Sequence, residues 1–113
     1  MYFDFEGLTT RERHKLLIST IVPRPIAWVT TLNADATVNV GPFSFFNMFC
    51  EDPPVICLGI GSGERGAAGD EKDTGVNIRR SGEFVVNLVG YGNAAAMVRT
   101  AVNYPAGVSE LTA

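Results

Sequence analysis

Histidine is nearly missing from this chain: His14 is the single one among 113 residues, and it stands in the charged run Arg11-Glu12-Arg13-His14-Lys15. A nucleophile–histidine–acid triad therefore has no imidazole to build on, and His14 reads as a solvated side chain. Cysteine is almost as scarce. Cys50 and Cys57 have six residues between them, with no Cys-x-x-Cys spacing and no histidine beside them, which argues against a zinc site and a redox dithiol. Two reduced thiols are expected, as in a cytoplasmic protein. Paired carboxylates in a pattern suited to hydrolysis are lacking too. Positive charge is not gathered into a stripe: nine Lys and Arg against twelve Asp and Glu leave a net charge of −3. No nucleic-acid partner is expected, because nothing supplies a phosphate-neutralising footprint. The uncharged segment 36–50 is shorter than the roughly 20 residues of a membrane span, and it contains Asn39, Gly41, Pro42 and Asn47. No membrane is expected. Asp4 and Glu6 stand where a signal peptide would carry positive charge, which again leads to the expectation of a cytoplasmic location.

What is present suits one folded domain over residues 1–113, with 46% apolar and 19% charged residues. Thr9-Thr10-Arg11-Glu12 has capping-box spacing and opens a short helix that ends before Pro23. Pro23 and Pro25 hold the chain extended into a strand over residues 26–32, with Trp28 and Thr30 on one face and Ala27, Val29 and Thr31 on the other. Asn33-Ala34-Asp35-Ala36 supplies turn chemistry, and residues 37–46 read as the returning strand of a hairpin, bulged or bent at Gly41-Pro42. Residues 54–60 are apolar throughout and read as a strand buried on both faces. A glycine-rich loop over residues 61–71 follows. Asp73 or Thr74 is expected to cap a helix running to residue 80, with Gly82 stopping it; residues 83–89 form a fourth strand. Asn93 caps a last helix to about residue 102, and residues 103–113 look irregular. No repeat or low-complexity tract occurs.

Several groups stand out as chemistry. Gly61-Ser62-Gly63-Glu64-Arg65-Gly66 spells a dinucleotide fingerprint, but Ala67-Ala68-Gly69-Asp70-Glu71-Lys72 is too rich in glycine and charge to be the helix that must follow. A surface loop is the better reading. Lys72-Asp73-Thr74 places a cation and a hydroxyl at a helix start, where free N–H groups attract an anion; ordinary capping beside a solvated lysine is the alternative. Ser44 and Asn47 bring polar groups into an apolar run and need partners, either a ligand's polar edge or neighbouring backbone. Trp28, the single tryptophan, suits a core as well as a site.

In order and spacing, Arg24-Pro25-Ile26-Ala27-Trp28-Val29-Thr30-Thr31, the run from Asn39-Val40-Gly41-Pro42-Phe43-Ser44-Phe45-Phe46-Asn47-Met48-Phe49 to Asp52-Pro53-Pro54, Lys72-Asp73-Thr74 and Asn77-Ile78-Arg79-Arg80 closely resemble the flavin reductase-like family. The resemblance implies a mainly β fold, an antiparallel FMN-binding split β-barrel with short helices. It also implies non-covalent FMN, with NAD(P)H as a possible reductant, and no catalytic side chain, since the flavin N5 carries the chemistry. The cofactor-binding residues it implies are Trp28, Thr30, Ser44, Phe45, Asn47, Cys50, Lys72, Asp73 and Thr74, with Lys-Asp-Thr around the phosphate and the segment from Pro42 to Asn47 against the ring. Relatives often carry serine where Cys50 stands and glycine where Ala36 stands. Family domains also continue beyond the segment resembling Tyr104-Pro105-Ala106-Gly107-Val108-Ser109-Glu110-Leu111, so the domain is apparently truncated. A homodimer, or a separate chain that completes the barrel, is then expected. An FMN-bearing electron carrier without its own substrate, a flavin-free interaction module and a binder of another anionic aromatic remain alternatives.

Overall fold

The structure, a computed structural model, describes residues 1–61 and 71–102. Past its first glycine, the Gly61-to-Gly66 motif lies outside the described residues, as does the expected irregular tail.

Helix α1 (Thr10–Thr20) begins as its sequence dictates: the Glu12 N–H donates to Thr9 Oγ1 at 3.3 Å and the Thr9 N–H to Glu12 Oε2 at 2.8 Å. Two otherwise orphaned donors are satisfied reciprocally. None of its residues is buried, so α1 lies on the body rather than in it. Strands β1 (Ala27–Leu32), β2 (Val38–Phe43) and β5 (Val85–Asn87) form an antiparallel sheet in the order β2-β1-β5. The β1–β2 turn is built by Asp35, whose Oδ1 accepts from the Thr37 N–H at 3.0 Å and from its hydroxyl at 2.6 Å. Those bonds to the ionised carboxylate lower the Asp35 pKa from its ordinary value. Ala36 adopts φ 66°, the left-handed conformation for which glycine is suited.

The expected irregularity at Gly41-Pro42 is absent: the register runs unbroken from Ala27 opposite Phe43 to Leu32 opposite Val38. Among the described strands β2 pairs with β1 alone, an edge position that tolerates a proline without a ladder donor. The single strand expected over residues 37–46 also divides. Ser44 and Phe45 form a bend, after which β3 (Phe46–Glu51) pairs antiparallel with β4 (Pro54–Leu58), with a register shift between Met48 and Cys50. The bulge thus falls in β3 rather than β2, and the described residues hold five strands rather than four.

The core sits where the two sheets meet. Ala27, Val29 and Phe43 are buried, with Phe46, Leu58, Ile60, Phe84 and Val86 packed against them. Only the inner ends of β3 and β4 reach this cluster. Further out the ribbon is uncovered: Met48 is 66% exposed, Phe49 70%, Val55 42% and Ile56 46%. This corrects the expectation of a strand buried on both faces, because an apolar run has the same composition whether or not anything covers it. Helix α2 (Asp73–Ser81) lies against β1 and β2 and ends at Gly82, φ 75°. Its N-cap is Lys72, with no side-chain cap bond, rather than Asp73 or Thr74. A 3-10 turn (Tyr91–Asn93) leads into α3 (Ala94–Arg99), where Asn93 is the N-cap but makes no side-chain cap bond.

Candidate functional site

Alternation along β1 decides which candidate residues share a surface. Ala27, Val29 and Thr31 face the core, together with Phe43, Gly41 and Asn39 opposite them. Trp28 and Thr30 face the other way.

On the core side the β2–β3 bend gathers a polar corner. Lys72 places its ammonium over the Phe43 ring, 5.3 Å from the centroid, one residue before Ser44. Such placement holds a cation by the ring's quadrupole without neutralising it. Among the described residues Lys72 has no carboxylate partner; Glu71 is paired with Arg79. Ser44 is half-buried, and its Oγ accepts from Arg24 Nε at 3.4 Å. Phe45 meets the His14 ring at 5.7 Å between centroids, and its carbonyl accepts from the Gly59 N–H at 2.7 Å. A Cβ on Gly59 would come within 2.8 Å of Phe45 Cβ, so glycine is what lets the end of β4 approach the bend.

Below the corner, α2 is joined to the sheet by side-chain amides. Asn39 Nδ2 donates to Thr31 Oγ1 at 3.0 Å and to Thr74 Oγ1 at 2.9 Å; Asn77 Nδ2 donates to Thr31 Oγ1 at 3.1 Å and to Asn33 Oδ1 at 2.7 Å. The four residues Thr31, Asn39, Thr74 and Asn77 are buried, and among the described residues no buried side-chain polar atom is left without a partner. Arg80 caps this network by donating to the Leu32 carbonyl. The Thr74 hydroxyl is thereby an internal acceptor, and the residue addresses the helix start through its backbone N–H. Asp73 is exposed in the first turn.

Trp28 and Thr30 are not brought to this corner. The Trp28 indole N–H donates to Thr100 Oγ1 at 2.9 Å, and Thr100 in turn donates to the Met97 carbonyl at 2.8 Å. Asn87 Nδ2 bridges the Trp28 carbonyl at 2.9 Å and Thr30 Oγ1 at 3.4 Å. Asn47 and Cys50 lie out on the ribbon, where the Asn47 Oδ1 accepts from the Met48 N–H at 2.9 Å and the Cys50 thiol reaches the Asp52 carbonyl at 3.2 Å. Arg24, Asn39 and Asn77 open segments that carry the family resemblance but are given no site role there, and Asn87 and Thr100 do not stand out in the sequence. The signal was available for the three asparagines, since an amide inside an apolar or helical run needs buried partners. For Thr100 there was none.

The fold matches a known family. The flavin reductase like domain family matches residues 18–113, and the chain belongs to the flavin reductase-like family. A protein of Deinococcus radiodurans is 41% identical over 116 residues, covering 99% of this chain and 50% of that protein. Nitrilotriacetate monooxygenase component B from Bacillus cereus superposes with a TM-score of 0.87 at 34% identity, covering 99% of this chain and 54% of that one. The 2-nitrobenzoate 2-nitroreductase NbaA of Pseudomonas fluorescens does so with a TM-score of 0.80 at 32% identity, covering 99% and 51%. The chain thus spans about half the length of the relatives it matches. As the resemblance implied, it has the mainly β, split-barrel architecture of that family, present in part.

Proposed function

We propose that this chain is the flavin-holding part of an FMN-dependent oxidoreductase that takes hydride from a reduced nicotinamide. The observation that carries the reading is the corner itself: Lys72, which has no carboxylate partner among the described residues, stands at a helix start beside the bend that bears Ser44 and Phe45. Its donors fit a phosphate. Lys72 supplies the charge, and the backbone N–H groups of Asp73 and Thr74, in the first turn of α2, have no intrahelical acceptor. Ser44, Phe45, Asn47 and Cys50 follow along the bend and β3 and would line the ring, hydroxyl and amide toward its polar edge. Trp28 and Thr30 would act from the other face of β1, where Asn87 and Thr100 fix them. A bound flavin supplies hydride acceptance and electron delivery, so the side chains have only to bind, orient and exclude water. Free Cys50 and Cys57 agree with a cytoplasmic setting.

The partner in this proposal is a second copy of the chain, or the remainder of a split barrel, seated on the exposed β3–β4 ribbon. Replacing Lys72 with alanine tests the cofactor. FMN affinity is expected to fall by about 1.5–3 kcal/mol, the range for a hydrogen bond to a charged group, while riboflavin, which has no phosphate, binds both proteins alike. Equal FMN affinity for Lys72→Ala and wild type would sink the assignment.

A further inference from the structure

Arg24 joins parts of the chain that no backbone hydrogen bond connects. Its Nη1 donates to the carbonyls of Ile18 at 2.7 Å and Ile21 at 2.9 Å, the unsatisfied end of α1, and its Nε donates to Ser44 Oγ at 3.4 Å. With the His14–Phe45 ring contact, this sets α1 directly against the bend. The first eight of the eleven residues of α1, His14 among them, precede residue 18, where the family match begins.

The chemistry of the serine gives the arrangement a direction. A hydroxyl has one proton to donate and lone pairs to accept with. A charged guanidinium N–H aimed at Ser44 Oγ takes an acceptor site and turns the hydroxyl proton away from itself. Ser44 is left as a donor. An isoalloxazine edge offers several acceptors, its carbonyl oxygens and unprotonated ring nitrogens, to such a group.

We propose that Arg24 is a positioning residue of the flavin site: it fastens the β2–β3 bend to α1 and sets Ser44 to donate a hydrogen bond to the acceptor edge of the ring. This rests on the reading above that the bend faces a flavin. Donation to an acceptor that becomes more electron-rich on reduction favours the reduced ring, so losing it lowers the midpoint potential of the bound flavin.

The test uses the full chain as wild type, Arg24→Lys, Ser44→Ala and the double variant. FMN affinity is followed by flavin fluorescence, the midpoint potential by spectroelectrochemical titration, and folding by thermal unfolding. Lysine keeps the charge but loses the fork that reaches Ser44 and α1 together. Each single variant is expected to weaken FMN binding about tenfold, or about 1.4 kcal/mol, and to lower the potential. The double variant is expected to lose no more than about tenfold, because the two residues act through one bond. Wild-type affinity and potential in Arg24→Lys overturn the inference, and so do single losses that multiply in the double variant. Should Arg24→Lys fail to fold, Ser44→Ala decides alone, and an unchanged affinity and potential there overturn it. A wild-type chain that takes up no FMN overturns the flavin reading itself, an outcome distinct from FMN binding that ignores Arg24.

Discussion

Asn77 shows how one side chain organises this molecule: it is buried on α2, donates to Thr31 in β1 and to Asn33 in the turn that follows, and accepts from Arg80 at 3.4 Å. Removing it strands those partners in a site with little water. Asn77→Ala is expected to cost about 1–3 kcal/mol, read as a lower urea midpoint with an unchanged slope. Ala36 is the opposite case, a residue that works against its own backbone. At φ 66° its Cβ crowds the following carbonyl, a strain of roughly 1–2 kcal/mol that glycine would relieve while adding entropy to the unfolded chain. Ala36→Gly should therefore stabilise by up to about 1 kcal/mol, measured in the same denaturation series. The Ala36 tension was legible in the sequence, because the resemblance places glycine there. The Asn77 bonds were not, since their partners lie as far as 46 residues away.

Among the elements, α1 was the most legible because everything that starts it is local. Thr9 and Glu12 bond each other, and those bonds hold the Glu12 carboxyl below its ordinary pKa. The sign follows from that direction. A carboxyl whose folded pKa lies below its unfolded one contributes its stabilisation at pH above the unfolded value, and that contribution is lost as pH falls through the folded one. Helical circular dichroism from α1 should therefore fray as pH drops below the ordinary glutamate range, and Glu12→Gln should show a weaker dependence on pH there. β3 was the least legible. Phe43-Ser44-Phe45-Phe46-Asn47-Met48-Phe49 has no glycine, proline or charge to punctuate it, and the bend at Ser44 and Phe45 is held by Arg24 and Gly59 from outside the run. The cap of α2 falls at Lys72, one residue before Asp73 and two before Thr74, for a similar reason: Thr74 has cap chemistry, but Asn39 draws its hydroxyl inward.

At the scale of the whole molecule, the two sheets share a small core and leave a long apolar ribbon uncovered. Family and architecture were legible from the order of several motifs together, whereas the ribbon's exposure was not, since sequence does not record what covers a strand. Contiguous apolar surface of this kind drives association. The chain should sediment above the 12.1 kDa of a monomer, and Phe49→Asp, which places a charge at the ribbon's most exposed aromatic, should shift it toward that mass without altering its circular dichroism. A variant that sediments as wild type would put the contact elsewhere.

The bond between Trp28 and Thr100 has a consequence in time. It spans 72 residues of chain, whereas the β1–β2 turn closes through Asn33 and Thr37, four residues apart. Loop-closure entropy grows as the logarithm of length, so the long tie costs about 2.5 kcal/mol more to form from the open chain than the turn does. It is expected to be the later event, made once β1 has paired with β2. Because the indole that closes it is the chain's single tryptophan, refolding followed by intrinsic fluorescence keeps the clock of α3 docking, while far-ultraviolet ellipticity records the hairpin that precedes it.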